Sequence, residues 1–186
     1  MRIIAGQFKG RALSAPSTQT IRPTSDRLRE TLFNILAHGY GDGIEGKRVL
    51  DLFAGTGALG IEALSRGASF CLFVDQGVEA RGLIRTNTDT FGLNGITKIY
   101  KRDATSLGEN LTSAPFDLVF CDPPYDRGLA ELALASAMAG NWLAKNALVV
   151  VEESAQAVLQ VPDNFTQLDQ REAGDSALYF LRFNGG

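Results

Sequence analysis

The chain has 186 residues, of which 45% are hydrophobic and 21% are charged, a composition typical of a single α/β domain. Its net charge of −3 argues against a protein that coats nucleic acid by charge alone. One histidine and two isolated cysteines, Cys71 and Cys121, predict buried reduced thiols rather than a zinc site or a disulfide framework. The first residues lack the apolar core of a signal peptide, and no apolar run approaches roughly 20 residues. We therefore expect a cytoplasmic protein with no membrane span.

Positive charge is concentrated near the start of the chain. Residues 1–38 contain six Lys or Arg residues and two acids, a charge of +4, which leaves −7 for the remainder. A basic segment on an acidic body is typical of a phosphate-binding arm attached to a cofactor-binding domain. An unevenly charged solvated surface explains the same distribution equally well, so charge alone leaves both interpretations open.

The first predicted elements precede the sheet. Two short extended pieces around a turn bounded by Gly6 and Gly10 predict a β-hairpin near the start. Residues 14–23 are polar, contain two prolines and predict a loop. A helix follows, capped by either Thr24 or Ser25. Its apolar residues at helical spacing are Leu28, Leu32, Phe33, Ile35 and Leu36, and it is ended by Gly39 and Gly41.

Strand and helix patterns then alternate, which predicts an α/β fold with a parallel sheet. The predicted strands are 48–53, 69–75, 97–101, 116–121 and 147–152, and the predicted helices are 58–66, 78–91, 106–111 and 129–142. Two further strands, 165–172 and 176–183, predict a closing hairpin that adds one antiparallel strand to the sheet.

A glycine-rich loop follows the first strand of the sheet. Gly55, Gly57 and Gly60 have the G-x-G-x-x-G spacing that lets a backbone pass close to a ligand, and this spacing by itself suits a dinucleotide equally well. Asp51, however, lies inside the motif at the end of the strand. A carboxylate there repels a pyrophosphate and attracts a cation, which favours a positively charged cofactor.

Three acids follow three successive strands: Asp51, Asp75 and Asp103. Ligands of open α/β sheets bind beyond the carboxyl ends of the strands, so the three side chains are expected to meet in one crevice. S-adenosylmethionine offers an α-ammonium, a ribose diol and an adenine amine as their partners, besides its sulfonium cation. Each acid could instead cap a helix or be solvated, and Asp103 could form a surface pair with Arg102. The coincidence of three acids with the glycine loop favours the cofactor.

The tetrapeptide Asp122-Pro123-Pro124-Tyr125 follows the apolar strand 116–121. An exocyclic amine on a nucleobase is a poor nucleophile because its lone pair is delocalised into the ring. The carboxylate of Asp122 and the carbonyl of Pro123 can accept its hydrogens and direct the lone pair, while the fixed φ of proline holds the turn rigid. Tyr125 can stack on the base. Asp-Pro-Pro is also an ordinary turn former, but its position favours methyl transfer to an amino nitrogen.

The motifs are similar to those of class I S-adenosylmethionine-dependent methyltransferases. More narrowly, the chain resembles the RsmD family, which methylates the N2 amine of a guanine in bacterial small-subunit (16S) rRNA, guanine 966 in the family's reference numbering. The resemblance covers nearly the whole chain and rests on residues 2–6 with Gly10 and Arg11, and on residues 21–34, 50–60, 122–125 and 174–179. The stretch 22–33 is the specific one. The Asp-Pro-Pro-Tyr tetrapeptide is shared with DNA adenine and release-factor glutamine enzymes.

The resemblance implies a Rossmann-like class I methyltransferase: a seven-stranded, mostly parallel sheet with helices on both faces and an N-terminal β-hairpin. Residues 1–23 would form an RNA-contacting hairpin and loop, and residues 24–186 the methyltransferase domain. The catalytic residues it implies are Asp122, Pro123, Pro124 and Tyr125. The residues it implies for binding S-adenosylmethionine are Asp51, Phe53, Ala54, Gly55, Thr56, Gly57, Asp75, Gln76, Asp103, Ala104 and Asp122.

Five basic residues are expected to bind RNA. Arg2, Lys9 and Arg11 would contact phosphates, which positions the protein without reading sequence. Arg22 and Arg27 border the active site by resemblance and would clamp a phosphate or the cofactor carboxylate. The expected partner is 16S rRNA or a partly assembled small ribosomal subunit, and the expected enzyme is a monomer without metal or membrane.

Three other functions remain open at this point. The same cofactor could serve an amino-methyltransferase that acts on DNA adenine N6 or on a protein glutamine amide, although the chain shows no second recognition domain. A non-catalytic RNA-binding module could retain the fold, but the acids at the strand ends argue against it. A nucleotide-dependent dehydrogenase could share the glycine loop, but Asp51 and the Asp-Pro-Pro turn argue against it.

Overall fold

The computed structural model describes residues 1–16, 25–40, 43–111 and 113–185. In this part of the chain helices and strands alternate after the first helix, as the sequence predicts. The elements are α1 (Asp26–Gly39), β1 (Arg48–Leu52), α2 (Ala58–Ser65), β2 (Phe70–Val74), α3 (Val78–Thr90), β3 (Thr97–Tyr100), β4 (Phe116–Cys121), α4 (Leu129–Ala139), β5 (Leu143–Ser154), β6 (Phe165–Ala173) and β7 (Ser176–Phe183). None of the described helices is long and apolar enough to cross a bilayer.

The strands form one sheet in the order β3-β2-β1-β4-β5-β7-β6. Strands β1 to β5 pair in parallel, whereas β7 is antiparallel to both β5 and β6. This confirms the predicted Rossmann-like class I methyltransferase fold and its single antiparallel strand. The chain order reverses direction at β1, whose neighbours are β2 and β4, and this switch point is where open α/β sheets bind their ligands.

Helices cover both faces of the sheet, as predicted. One core cluster joins α1, α2 and α3 to side chains such as Val49 and Phe120. The other packs α4 and Trp142 against Leu50 and Val119. Adjacent residues of β1 and of β4 therefore contribute to opposite cores, which is the two-residue period of a strand buried on both faces. Cys71 and Cys121 are buried free thiols, as predicted.

Most element ends lie within one residue of the prediction, and the larger differences lie in two regions. The helix predicted over residues 106–111 is wrong: a single 3-10 turn covers Ala104–Ser106, and Gly108 then takes a φ of +72°, which a helix does not tolerate. The helix predicted to reach residue 142 ends at Ala139. β5 therefore begins at Leu143, four residues earlier than predicted, and its pairing with β4 shifts register between Phe116 and Leu118.

The N-terminal hairpin is present in a short form. Arg2 and Ala12 form one antiparallel bridge, and the amide of Ile3 donates to the carbonyl of Arg11 at 3.0 Å. Its apolar side chains Ile3, Phe8 and Leu13 are buried in the same core cluster as α1 and α2. The hairpin is therefore packed onto the sheet-covering helices.

A buried ion network anchors this hairpin. Glu62 of α2, whose side chain is fully buried, accepts the amides of Ile4 at 2.8 Å and Ala5 at 3.0 Å and the Nε of Arg66 at 2.8 Å. Arg29 of α1, also fully buried, lies 4.0 Å from the Glu62 carboxylate and donates to the Arg2 carbonyl at 2.7 Å. Two charges that sequence alone would assign to the surface thus connect the hairpin to both helices.

We expect Glu62→Ala to lower the free energy of unfolding by about 3–5 kcal/mol. The buried charge of Arg29 would lose the nearby Glu62 carboxylate, and the amides of Ile4 and Ala5 would lose their acceptor. Urea denaturation measures the change. Glu30→Ala, exposed on α1, is the control and should stay within about 0.5 kcal/mol of the original protein. A change as small as the control's would show that the network does not anchor the hairpin.

Candidate active site

A cavity of about 810 Å³ opens beyond the carboxyl ends of β1, β2, β4 and β5. The start of α1 and the turn between β6 and β7 complete its wall. Most of the residues predicted as catalytic or cofactor-binding line it. These are Asp51, Phe53, Ala54, Gly55, Thr56, Asp75, Asp122, Pro123, Pro124 and Tyr125. The volume falls in the range of small-molecule and cofactor sites.

Four carboxylates follow the order of the strands across this cavity: Asp75, Asp51, Asp122 and Glu152, from β2, β1, β4 and β5. Side chains alternate between the two faces of a strand, so residues two apart share a face. The residues two positions earlier, Phe73, Val49, Phe120 and Val150, all belong to the core under α1, α2 and α3. The pleat therefore directs the four acids to one face and one edge of the sheet.

The glycine-rich loop bends where backbone freedom is required. Gly55 and Gly57 have φ values of +55° and +77°, a region that favours glycine. Gly55 lines the cavity, whereas a side chain on Gly57 would approach Ile84 and Phe73 to 3.2 Å. On Gly60 a Cβ would lie 2.4 Å from the Phe73 ring. The first glycine thus borders the ligand space, and the other two allow α2 to pack closely on the sheet.

Asp75 organises two loops from the end of β2. One carboxylate oxygen accepts the amide of Gly55 at 2.9 Å, and the other accepts the amide of Gly77 at 2.7 Å. A Cβ on Gly77 would approach the second oxygen to 3.1 Å. Asp75 therefore connects the glycine loop to the start of α3, and it presents its carboxylate at the cavity wall, where the ribose of a nucleoside cofactor would lie.

Asp51 is the most deeply buried acid of the cavity, with 1% of its surface exposed. Its Oδ2 accepts the amide of Gly60 at 3.0 Å. Burial raises the pKa of Asp51 to about 8, and the negative charge of Asp75 contributes, while the Gly60 amide acts in the opposite direction. Without a nearby cation the Asp51 carboxyl is therefore mostly protonated at neutral pH.

The described residues that line the cavity carry acids and no Lys, Arg or His. The acids are Asp51, Asp75, Glu79, Asp122, Glu152 and Asp175. Such a lining repels a pyrophosphate and attracts a cation. S-adenosylmethionine, with a sulfonium and an ammonium, fits this donor set, whereas a nicotinamide dinucleotide does not. None of the described basic residues lines the cavity, so none of them lies where it could pair with the carboxylate of the cofactor.

Gln76, Asp103 and Ala104 lie outside the cavity wall in the described part of the chain. Asp103 accepts the Thr105 hydroxyl at 2.7 Å and the Thr105 amide at 2.8 Å, and these bonds, with a bond from Gln76, lower its pKa. Asp103 thus stabilises the turn after β3, and Ala104 is buried in the core. That these three residues contact the cofactor stays a prediction.

The Asp122–Tyr125 turn is held from the neighbouring strand. Pro123 is buried and Pro124 is exposed, and both line the cavity. The hydroxyl of Tyr125 donates to Glu152 on β5 and lies 2.7 Å from the Ser176 hydroxyl on β7. Burial, followed by the hydrogen bond to Glu152, raises the pKa of Tyr125 above its ordinary value, so the phenol stays protonated.

Sequence reasoning did not assign a role in the site to Ser25, Glu79, Glu152, Asp175 or Ser176, all of which line the cavity. Ser25 caps α1, because its side chain accepts the Leu28 amide at 3.1 Å. The sequence pointed to this residue only as one of two possible helix caps, Thr24 and Ser25. Thr24 lies outside the described residues. For Glu152 the signal was an acid directly after the apolar run of β5.

The predicted RNA-binding residues lie outside the cavity wall where the structure describes them. Arg2, Lys9, Arg11 and Arg27 are exposed, and Arg22 falls outside the described residues. The Arg2 guanidinium donates to the Gly10 carbonyl at 2.8 Å. The Arg11 guanidinium lies 4.5 Å from the centre of the Phe91 ring and donates to the Thr90 carbonyl at 3.0 Å. The guanidinium groups of Arg2 and Arg11 are thus each held by a backbone carbonyl.

Comparison with known proteins finds relatives over nearly the whole chain. The model of the family described as conserved hypothetical protein 95 covers residues 1–182. Ribosomal RNA small subunit methyltransferase D of Haemophilus influenzae is 36% identical over 176 residues, 94% of this chain and 89% of that protein. The protein of the same name from Escherichia coli K12 is 37% identical over 178 residues, 95% and 87% of the two chains. The solved structure of yhhF from Escherichia coli has a TM-score of 0.84 at 34% identity, covering 100% of this chain and 99% of that one.

We expect S-adenosylmethionine to displace a proton from Asp51 when it binds. A cation beside the carboxyl favours the ionised form, so the raised pKa of about 8 falls on binding. Proton release should be largest between the lowered pKa of the complex and pH 8, where affinity should also rise with pH, and both effects should fade above pH 8. Calorimetry in buffers of different ionisation enthalpy measures the released protons.

Asp51→Asn should abolish this proton release. Asp103→Asn is the matched control, because the lowered pKa of Asp103 leaves that carboxyl ionised at neutral pH and the proton count unchanged. Equal proton release from the original protein and from Asp51→Asn would rule out Asp51 as the source.

Proposed function

We propose that this chain, which belongs to the RsmD family of ribosomal RNA small subunit methyltransferases, transfers a methyl group to the exocyclic N2 amine of a guanine in 16S rRNA. The observation that carries the proposal is the position of Asp122–Tyr125 on the wall of an acidic cavity at the switch point of the sheet. Its target in the family's reference rRNA numbering would be guanine 966.

The methyl donor is S-adenosylmethionine. When bound, it supplies an electrophilic methyl on a sulfonium whose leaving group is a neutral thioether, so no strong acid catalyst is needed. Asp75 would accept hydrogen bonds from the ribose hydroxyls, and Asp51 would face the ammonium. Gly55, with its backbone close to the cavity, would leave room for the methionine part of the cofactor.

The Asp122–Tyr125 turn would activate the target amine. The Asp122 carboxylate and the Pro123 carbonyl would each accept a hydrogen bond from the amine. These two bonds would reduce the delocalisation of the nitrogen lone pair into the ring and direct the lone pair at the methyl. The turn supplies rigidity, since in-line transfer requires the reacting atoms to be held at roughly 3–3.5 Å. Asp122 or water would take the proton after the carbon–nitrogen bond has formed.

The target base must leave its helix to reach this turn, because a stacked or paired amine is inaccessible. Tyr125 lies at the wall where an extruded base would enter, and an aromatic contact with a base is worth about 1–3 kcal/mol. The acidic lining disfavours phosphates inside the cavity, so the RNA backbone would remain at its rim.

Residues 1–23 would provide that rim as an RNA-contacting hairpin and loop, with residues 24–186 as the methyltransferase domain. The exposed cations Arg2, Lys9, Arg11 and Arg27 would contact phosphates, and Arg22 would join them. Because this basic surface is small, a structured substrate such as a partly assembled small subunit would supply further contacts. The enzyme would act as a monomer in the cytoplasm, with neither metal nor membrane.

The proposal predicts labelling of one guanine when the purified chain, methyl-labelled S-adenosylmethionine and small ribosomal subunits from a strain without this enzyme are combined. Digestion to nucleosides identifies the base and atom. Asp122→Ala should lower kcat by about 100-fold or more, because the amine loses its principal acceptor. Asp163→Ala, exposed before β6, should leave kcat unchanged.

Other outcomes would identify another function. Label on adenine N6, in rRNA or DNA, or on a glutamine amide would replace the guanine target with another amino-methyltransferase activity. Absence of label from rRNA under conditions in which calorimetry detects cofactor binding would contradict the proposed function. Full activity of Asp122→Ala would contradict the role given to its carboxylate.

A further inference from the structure

We propose that Glu152 and Ser176 are positioning residues, which hold the Tyr125 ring in place as the surface on which the target base lies. The inference rests on the proposed function, because it concerns the base that receives the methyl. Neither residue belongs to the Asp122–Tyr125 turn, and they reach it from two other strands. Their role is to determine where the base sits relative to the acceptors of its amine.

The three side chains form a closed triangle of polar contacts, in which the two hydroxyls supply the two available hydrogens. The Tyr125 hydroxyl donates to Oε1 of Glu152, and the Ser176 hydroxyl donates to the same oxygen at 3.1 Å. The Tyr125 and Ser176 hydroxyls are themselves 2.7 Å apart. Glu152 and Ser176 are 5% and 4% exposed, respectively, and all three residues line the cavity. A buried carboxylate that accepts two hydroxyls makes charge-assisted bonds, which are stronger than neutral ones.

Sheet register explains how the triangle forms. Glu152 pairs with Leu178 and Ser154 pairs with Ser176 in the antiparallel ladder of β5 and β7. Glu152 and Ser176 therefore lie on one face, two residues apart along the ladder. The parallel pairing of β4 with β5 brings the residues after Cys121 beside those after Val151. The catalytic turn is thus connected to two strands that do not themselves contribute a catalytic group.

The triangle fixes the ring in two ways. Bonds at the phenol oxygen hold the far end of the side chain, which sets the direction of the ring axis. The phenolic O–H lies in the ring plane by conjugation, so an acceptor at a fixed position also favours one ring plane. A base stacked on that plane would place its amine consistently, and misplacement by about 1 Å can cost 100-fold in rate.

Direct contact between Glu152 and the base is the competing role, and matched substitutions separate the two. Glu152→Gln keeps an oxygen that can accept both hydroxyls, whereas Glu152→Met keeps the length of the side chain and removes the acceptor. A positioning role requires only the acceptor. A role in which the Glu152 charge contacts the base requires the carboxylate itself, and it would not depend on the Tyr125 hydroxyl.

The experiment measures kcat and KM with small ribosomal subunits and S-adenosylmethionine. Tyr125→Phe and Glu152→Met should each lower kcat about 10- to 100-fold with cofactor affinity unchanged. Ser176→Ala should have a smaller effect, since the Glu152 bond remains, and Glu152→Gln should keep most of the activity. The double variant Tyr125→Phe/Glu152→Met should be no slower than Tyr125→Phe alone, because both changes remove one interaction.

Tyr179→Phe is the matched control for loss of a buried tyrosine hydroxyl. Its hydroxyl donates to the Ala157 carbonyl at 3.1 Å from the opposite core, so kcat should not change. A readout without RNA is the NMR signal of Cζ-labelled tyrosine. The sequence contains four tyrosines, and Glu152→Met and Ser176→Ala should shift the Tyr125 signal and leave the other three in place.

Four results would overturn the inference. These are unchanged kcat in Tyr125→Phe, equal losses in Glu152→Gln and Glu152→Met, loss of cofactor affinity in parallel with kcat, and a Tyr125 signal insensitive to Glu152→Met. A failed proposed function is recognised separately, because the unsubstituted protein would then leave the guanine amine of small-subunit rRNA unlabelled. The positioning of a target base would fail with it, even if NMR detected the triangle.

Discussion

The structure depends on one constraint: parallel strands end at a common edge, and their pleat directs every second side chain to the same face. Asp75, Asp51, Asp122 and Glu152 are brought together in this way without being neighbours in sequence. Burial away from water raises the pKa of Asp51, and the negative charge of Asp75 adds to this effect. The negative charge of the described cavity lining is therefore balanced only when a cation binds. This arrangement favours a positively charged cofactor.

Local patterns predicted the parts of the site that follow directly from a strand and a loop. Asp51, Asp75 and the Asp122–Tyr125 turn could be identified because each directly follows or ends an apolar run. Glu152 also follows an apolar run, but its meeting with Ser176 depends on the register between β5 and β7, which no local pattern contains. The predicted helix over residues 106–111 failed for a similar reason.

The carbonyl of Gly108 in that segment accepts the indole N–H of Trp142, the residue directly before β5, at 2.8 Å. This tertiary bond competes with helix formation. Charge counting was equally limited at the N-terminus, where Arg29 contributes to the basic total and yet is fully buried beside Glu62. Arg11 is exposed but stacked on Phe91. Composition gives the net charge of a segment, whereas packing determines which basic side chains remain accessible to a partner.

The inner position of β7 has a consequence for the order in which the protein can assemble during synthesis. β7 runs to Phe183 and lies between β5 and β6, so both of its neighbours leave the ribosome before it does. Until β7 inserts, the edge of β5 is unpaired, and an unpaired edge can recruit other chains. The wall formed by Ser176 can therefore close only after β7 itself has left the exit tunnel.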